Sequence, residues 1–323
     1  MNPDFVIIGA AKSGTSALYD ILARHPDVFG SPVKEPNYFA LASEPARFRG
    51  PGDEDTVNRM SVSDRSEYLR LYGAAPDGAT TFEASTMYLS SDVAPGALRR
   101  ATPDVRLVCV LREPVARAFS SYLHMVRDGR EPAPTFRAAL DDEPRRIADN
   151  WEPLWHYSRL SCYHTHLLRY VDAFPREQIH LVAYDDFRDE PSRVVTELLD
   201  FLGLDTRVEL DLGTRVNVSG EPRSRHLQRL LVRESVARRL FRRTMPQRIR
   251  HRMWNRLSKL NVTPRRRTLD PEDARRLAER FEPEVAALEG MWGRDLSSWR
   301  RTWSDGPVSP RGDGQPPDVG RKG

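Results

Sequence analysis

The segment that most restricts the fold comes first: a buried strand, a glycine turn and a helix follow one another directly. Residues 5–8 are a continuous apolar run, and residues 17–22 repeat apolar side chains at helical spacing. The turn between them, residues 9–16, reads Gly-Ala-Ala-Lys-Ser-Gly-Thr-Ser. Such a turn points backbone N–H groups and the positive end of the helix dipole at one spot, which suits a phosphate or sulfate. The segment therefore predicts an anion-binding loop, with an ordinary strand-to-helix turn as the alternative.

Strands and helices continue to alternate along the chain. Further strands are predicted at residues 28–29, 80–84, 105–111 and 179–183, and helices at 63–72, from 114, at 156–171, 192–202 and 271–288. This alternation is typical of a parallel sheet covered by helices. We therefore predict an α/β protein with a P-loop-type fold, in which helices flank a central parallel sheet.

The chain of 323 residues is long for one domain, yet a large α/β domain can hold this length. We predict one domain over residues 1–303 and a flexible tail over 304–323, which is rich in Gly, Pro and charge. Within the domain, residues 222–267 hold 16 Arg or Lys and one acid, Glu234. Apolar residues keep helical spacing there, so we predict basic amphipathic helices. They form either a solvated face or a positive wall that attracts an anionic substrate.

Composition excludes several classes of protein. Hydrophobic residues make up 39% and charged residues 30% of the chain, as in soluble globular proteins. No apolar run approaches the roughly 18 residues that span a bilayer, and residues 5–8 are too short for a secretory signal. Cys109 and Cys162 lack the spacing of a zinc site or a disulfide framework. We expect a cytoplasmic protein without a membrane span, a metal or a nucleic-acid partner, and the oligomeric state stays open.

The glycine turn differs from the phosphate loop of an NTPase. In that loop the lysine follows the second glycine, whereas Lys12 precedes Gly14 by two residues and Thr15 takes the lysine position. A phosphate-hydrolysing enzyme also needs an acidic residue after a neighbouring strand to help hold Mg²⁺. Here the strand predicted at 105–111 is followed by Arg112, which attracts an anion and repels a metal. The sequence therefore favours a metal-free site for a nucleotide with additional phosphate charge.

Two motifs in this order resemble those of PAPS-dependent sulfotransferases, in particular the heparan sulfate sulfotransferase branch and its bacterial relatives. Residues 11–16 (Ala-Lys-Ser-Gly-Thr-Ser) are similar to the 5′-phosphosulfate loop, and residues 111–122, which begin Leu-Arg-Glu-Pro-Val, to the 3′-phosphate motif. Residues 34–39 (Lys-Glu-Pro-Asn-Tyr-Phe) resemble the Lys-Glu-Pro-His-Phe-Phe segment of that branch. The similarity extends to residues 83–88, 217–219 and 293–299.

The resemblance implies transfer of a sulfuryl group from PAPS to a hydroxyl or amine of a carbohydrate or small-molecule acceptor, with PAP as product. It implies that Lys12 acts on the leaving phosphate and that Glu35 is the general base. The implied nucleotide contacts are Lys12, Ser13, Gly14, Thr15 and Ser16 at the 5′-phosphate, Arg112 and Ser120 at the 3′-phosphate, and Arg265, Arg266 and Arg267 in a late basic loop. Ser158 and Tyr163 are weaker candidates.

The role of Glu35 agrees with the chemistry, because sulfuryl transfer needs an in-line nucleophile and neutralisation of the leaving oxygen. A carboxylate near lysine side chains tends to stay ionised, which suits a base. The alternative is a structural ion pair between Glu35 and Lys34. Asn37 stands where relatives often have histidine. If Glu35 is not the base, Glu83 or His124 is the next candidate.

Two other functions stay open. A P-loop nucleotide kinase would depend on Mg²⁺, whereas the sulfotransferase would be active in a chelator. A non-enzymatic module would use residues 222–267 to bind nucleic acid or an anionic membrane. Binding that persists at high salt and ignores substitution of Lys12 would favour that second alternative.

Overall fold

A five-stranded sheet lies at the centre of the structure, and every strand pairs parallel to its neighbours. The structure is a computed structural model that describes residues 2–41, 44–212, 221–222, 262–263 and 267–304. The strands are β1 (Phe5–Gly9), β2 (Val28–Gly30), β3 (Thr80–Ala84), β4 (Arg106–Leu111) and β5 (Ile179–Ala183). Their spatial order is β2-β3-β1-β4-β5, so β1 is the middle strand. The predicted central parallel sheet is confirmed.

Helices flank this sheet. In the described residues they are α1 (Thr15–Leu22), α2 (Arg65–Arg70), α3 (Ala94–Ala101), α4 (Pro114–Arg127), α5 (Phe136–Asp141), α6 (Glu143–Ala148), α7 (Tyr163–Ala173), α8 (Tyr184–Asp189), α9 (Pro191–Leu202), α10 (Pro271–Trp292) and α11 (Ser297–Ser304). A separate antiparallel pair joins β6 (Glu221–Pro222) to β7 (Val262–Thr263). Of the helices described, none combines the length and the apolar character that a membrane crossing requires.

The two faces of β1 belong to two different hydrophobic cores, because successive side chains of a strand point to opposite sides. Val6 and Ile8 join the core that contains side chains of α3, α7 and α10, whereas Phe5 and Ile7 join the core with α1 and α9. All four side chains are at most 1% exposed. Burial on both faces explains why the strand reads as a continuous apolar run.

Two predicted helix boundaries are wrong, each for a local reason. The helix predicted from residue 156 begins at Tyr163 instead, because the buried carboxylate of Glu143 fixes the preceding turn. It accepts hydrogen bonds from the N–H and hydroxyl of Ser158, at 2.7 and 2.8 Å, and from the N–H of Arg159 at 2.9 Å. The last predicted helix continues past residue 288 to Trp292, where Gly293 caps it with a left-handed φ of 71°.

Some predictions concern residues outside the described part of the chain. Nearly all of the basic segment 222–267 and the tail after residue 304 lie there, so the amphipathic helices and the flexible tail stay predictions. The same holds for the domain boundary at residue 303.

The start of α4 depends on Glu113, whose carboxylate caps the first turn. Its two oxygens accept from the N–H groups of Val115 and Ala116, both at 2.6 Å, and Oε1 also accepts from Trp303 Nε1 at 2.7 Å.

We expect Glu113→Ala to lower the free energy of unfolding by about 2 kcal/mol, because it removes a cap and leaves buried donors unpaired. Trp303→Phe is the matched control and should cost about 1 kcal/mol. Chemical denaturation measures both, and an unchanged stability of Glu113→Ala would contradict this account.

Candidate functional site

The glycine turn after β1 leaves the first turn of α1 open. Gly14 is the N-cap of α1 with a φ of 86°, and no side chain of the described residues caps this end. The left-handed backbone favours glycine at this position, and a Cβ would also lie close to the ring of Tyr184, at 3.2 Å. Uncapped N–H groups at a helix start can bind an anion.

The Ser13 hydroxyl points to the same conclusion. Ser13 is fully buried, and within the part of the chain that the structure describes its Oγ has no hydrogen-bond partner. A buried hydroxyl left unpaired costs roughly 1–3 kcal/mol. An acceptor oxygen bound in the loop would pair it, so the side chains present fit a phosphate or sulfate group.

Positive charge is concentrated around Lys12, which follows Ala11 in the loop. Partial burial lowers the pKa of Lys12 to about 8, and Arg127, Arg112 and Arg117 act in the same direction while Asp128 opposes them. The ammonium therefore lies among other cations, where an anion would relieve the repulsion. Arg127 is the largest of these charge effects, and the sequence did not single it out.

Arg112 connects the end of β4 to the phosphate loop. Its Nη1 donates to the backbone oxygen of Lys12 at 3.2 Å, and its guanidinium lies 4.8 Å from the ring centroid of Tyr184. Parallel pairing of Gly9 with Cys109 sets the ends of β1 and β4 side by side. Two motifs about 100 residues apart in the sequence therefore meet, as the resemblance implied.

Glu35 is held at the end of β3, the other neighbour of β1. Its N–H donates to the backbone oxygen of Ala84 at 3.0 Å, and its carboxylate accepts from the N–H of Thr86 at 2.8 Å and from the Thr86 hydroxyl at 3.1 Å. Burial raises the pKa of Glu35, whereas the Thr86 bonds and Lys34 oppose the rise. Among the described ion pairs none joins Glu35 to Lys34, whose Nζ lies 5.4 Å from the ring centroid of Tyr19.

The two other candidate bases are both engaged. Glu83 is fully buried, and burial raises its pKa to about 7. His124 has its pKa lowered to about 3, first by burial and then by the charge of Lys12. Arg127 Nη2 lies 2.6 Å from His124 Nδ1, which makes Nδ1 the acceptor and leaves the proton on Nε2. Glu83 is therefore closed to a substrate by burial, and the Nδ1 lone pair of His124 is already used.

The remaining candidates fall into three groups. Ser120 is partly buried on α4, on the same helical stripe as His124 and Arg127. Ser158 is bound to Glu143, and the Tyr163 hydroxyl donates to the backbone oxygen of Arg112 at 2.8 Å, so both already have partners. Arg265 and Arg266 lie outside the described residues, whereas Arg267 Nη1 donates to the Tyr122 hydroxyl at 2.8 Å.

Two residues that contact the site were given no role from the sequence: Thr86, which binds Glu35, and Tyr184, which packs on Arg112 and Gly14. Each follows the carboxyl end of a buried strand by at most two residues. In an open α/β sheet that position borders the ligand crevice, so the strand ends were a usable signal.

Comparisons with known proteins agree with the motifs. The model of the sulfotransferase family matches residues 3–208. Human heparan sulfate glucosamine 3-O-sulfotransferase 6 is 30% identical over 203 residues, which cover 62% of this chain and 52% of the relative. Human bifunctional heparan sulfate N-deacetylase/N-sulfotransferase 3 is 27% identical over 208 residues, 62% of this chain and 22% of the relative. The chain therefore spans about half, or less, of the curated relatives that it matches.

A solved structure extends the similarity beyond this region. The crystal structure of a sulfotransferase from Alicyclobacillus acidocaldarius superposes with a TM-score of 0.73 at 32% sequence identity. The match covers 93% of this chain and 100% of the Alicyclobacillus chain. The predicted P-loop-type α/β architecture is confirmed by this match together with the parallel sheet.

The charge cluster predicts how Lys12 titrates. The chain has four lysines, Lys12, Lys34, Lys259 and Lys322, so reductive ¹³C-methylation gives few NMR resonances. We expect a pKa of about 8 for Lys12. Arg127→Gln should raise it, because removing a nearby positive charge favours the ammonium form. Arg275→Gln, on the exposed face of α10, is the control and should leave it unchanged. A wild-type Lys12 that titrates like an exposed lysine would contradict the cluster.

Proposed function

The chain belongs to the sulfotransferase family, and on that premise we propose that it transfers a sulfuryl group from PAPS to a hydroxyl or amine of its acceptor. The observation that carries the proposal is the meeting of three strand ends. Lys12 follows β1, Arg112 follows β4, and the end of β3 holds Glu35. Cations that could bind the donor thus lie at one edge of the sheet with a carboxylate that could activate the acceptor.

PAPS would bind to groups that still have N–H or O–H bonds to donate. The α1 N-terminus and the Ser13 hydroxyl would hold the 5′-phosphate, and Arg112 with Ser120 would hold the 3′-phosphate. A guanidinium matches phosphate oxygens better than an ammonium does, because its donors form a planar fork. The 3′-phosphate is the group that distinguishes PAPS from ADP, so these residues would set nucleotide choice.

PAPS supplies the sulfuryl group, whose S–O bond to the 5′-phosphate breaks as sulfur bonds to the acceptor oxygen or nitrogen. Glu35 would take the acceptor proton in that step, and its raised pKa brings its basicity closer to neutral pH. Lys12 would neutralise the charge that develops on the leaving phosphate. Thr86 would keep the Glu35 carboxylate oriented through its two hydrogen bonds.

For the acceptor we propose a carbohydrate, with a smaller hydroxyl- or amine-bearing molecule as the alternative. The proposal is supported by the two named relatives, both of which are heparan sulfate sulfotransferases. Residues 40–62 and 127–155 would select it. These segments contact each other: Arg49 N–H donates to the oxygen of Asn150 at 2.9 Å, and Trp155 Nε1 donates to Asp53 Oδ1 at 2.9 Å. A cytoplasmic location stays a prediction.

The first test is calorimetric titration with PAP and, separately, with ADP, in EDTA. We expect PAP to bind much more tightly than ADP. Arg112→Ala should weaken the binding of PAP by about 2–5 kcal/mol, or roughly 30-fold or more, because the 3′-phosphate loses its charged partner. Arg275→Ala on the exposed face of α10 is the control. Equal binding of the two nucleotides, or ADP binding that requires Mg²⁺, would contradict PAPS as the donor.

The base is tested by Glu35→Gln, with transfer from ³⁵S-labelled PAPS to heparosan oligosaccharides as the assay. We expect kcat to fall by about 10²–10⁴-fold, as for loss of a general base, with PAP affinity unchanged. Glu67→Gln, an exposed carboxylate on α2, is the matched control. Wild-type turnover by Glu35→Gln would exclude this residue as the base.

A further inference from the structure

Three successive residues at the end of β3 hold the turn that carries Glu35. The backbone oxygen of Ala84 accepts from Glu35 N–H at 3.0 Å, and Ser85 Oγ accepts from Asn37 N–H at 3.0 Å. Thr86 donates twice to the Glu35 carboxylate. The position of the carboxylate therefore depends on this short segment.

The turn needs such support, because two of its residues have left-handed backbones. Glu35 has a φ of 57° and Asn37 a φ of 56°. This conformation is unfavourable for a residue with a side chain, more so for glutamate than for asparagine. Hydrogen bonds from outside the turn must offset that cost.

Glu83, directly before the segment, sets the direction of one of these bonds. Its carboxylate is fully buried, and Oε2 accepts the Ser85 hydroxyl proton at 2.6 Å. A serine hydroxyl has a single proton, so once Glu83 accepts it only lone pairs remain for Asn37 N–H. Without that acceptor, the hydroxyl of Ser85 could turn its own proton toward the amide.

Glu83 also orients a second support through its other oxygen. Oε1 accepts from the Tyr88 hydroxyl at 2.9 Å and from the Tyr68 hydroxyl at 2.6 Å. The Tyr88 oxygen in turn accepts from the N–H of Phe39 at 3.3 Å. One carboxylate thus acts through two hydroxyls on two amides of the segment that follows Glu35.

We propose that Glu83 is a positioning residue, which holds residues 34–39 through Ser85 and Tyr88 and does not itself take the acceptor proton. The proposal rests on Glu35 being the base. Glu83 is 0% exposed and three hydroxyl groups already donate to it, so a substrate hydroxyl has no access.

The test is Glu83→Gln, which keeps the volume of the side chain. An amide has only one oxygen, so either the Ser85 proton or the tyrosine pair loses its acceptor. PAPS hydrolysis, followed as PAP release with water in place of the acceptor, measures the effect without knowledge of the acceptor. We expect kcat to fall about tenfold, as for one lost hydrogen bond, with KM for PAPS and calorimetric PAP affinity unchanged.

A double-mutant cycle shows whether Glu83 acts through Ser85. If it does, Glu83→Gln combined with Ser85→Ala lowers kcat less than the product of the two single effects. Tyr72→Phe is the matched control, because its hydroxyl contacts only the Tyr68 hydroxyl, at 3.2 Å, among the described hydrogen bonds. Tyr88→Phe is a second variant if Glu83→Gln does not fold.

Hydrogen exchange reports on positioning without any donor or acceptor. Amides in a peptide covering residues 33–41 should exchange faster in Glu83→Gln than in the wild type and in Tyr72→Phe.

Unchanged exchange with unchanged kcat would overturn the proposal, as would multiplicative kcat effects in the double-mutant cycle. Loss of turnover in Glu83→Gln with turnover kept in Glu35→Gln would make Glu83 the base. If wild-type protein neither binds PAP nor consumes PAPS, the sulfotransferase function fails, while exchange still decides the positioning.

Discussion

Parallel pairing of β1 with β3 on one side and β4 on the other is the constraint on which the site depends. Ile7 pairs with Ala84 and Gly9 with Cys109, so the carboxyl ends of three strands reach the same edge of the sheet. Loops that leave this edge can meet although they are far apart in the sequence. The phosphate loop, the Arg112 turn and the support of Glu35 are three such loops.

Electrostatics divide the site into two parts. The part around Lys12 is positively charged, and the buried Arg117 adds to it because its Nε and Nη2 donate to Ser161 Oγ and to the backbone oxygen of Tyr157, which carry no full charge. The part at the end of β3 holds the carboxylates of Glu35 and Glu83. Burial lowers the pKa of the lysine and raises the pKa of the carboxylates, so the pKa values of both groups move toward neutral pH. An anionic donor and a proton-bearing acceptor would each find a complementary partner.

Buried charge joins residues 40–62 to residues 127–155, the two segments proposed to select the acceptor. Asp53 is fully buried and accepts from Gly50 N–H at 2.7 Å, from Glu152 N–H at 2.9 Å, from Trp155 Nε1, and from the Arg130 guanidinium. Four donors on one carboxylate join two segments that are about 100 residues apart. Loops bound in this way have little freedom to rearrange. If they select the acceptor, as proposed, they would do so as a preformed surface.

The sequence by itself determined the strands of the central sheet and the glycine turn after β1, and it singled out Lys12, Glu35 and Arg112 within short motifs. These features are local: an apolar run, a glycine that must be left-handed, or a short motif reports on its own neighbourhood. Only the tertiary structure decided that Glu143 delays the start of α7, that Thr86 orients Glu35, and that burial changes the pKa of Lys12. Each of these depends on groups brought together across the fold, and their distance and burial are not encoded in any single stretch of sequence.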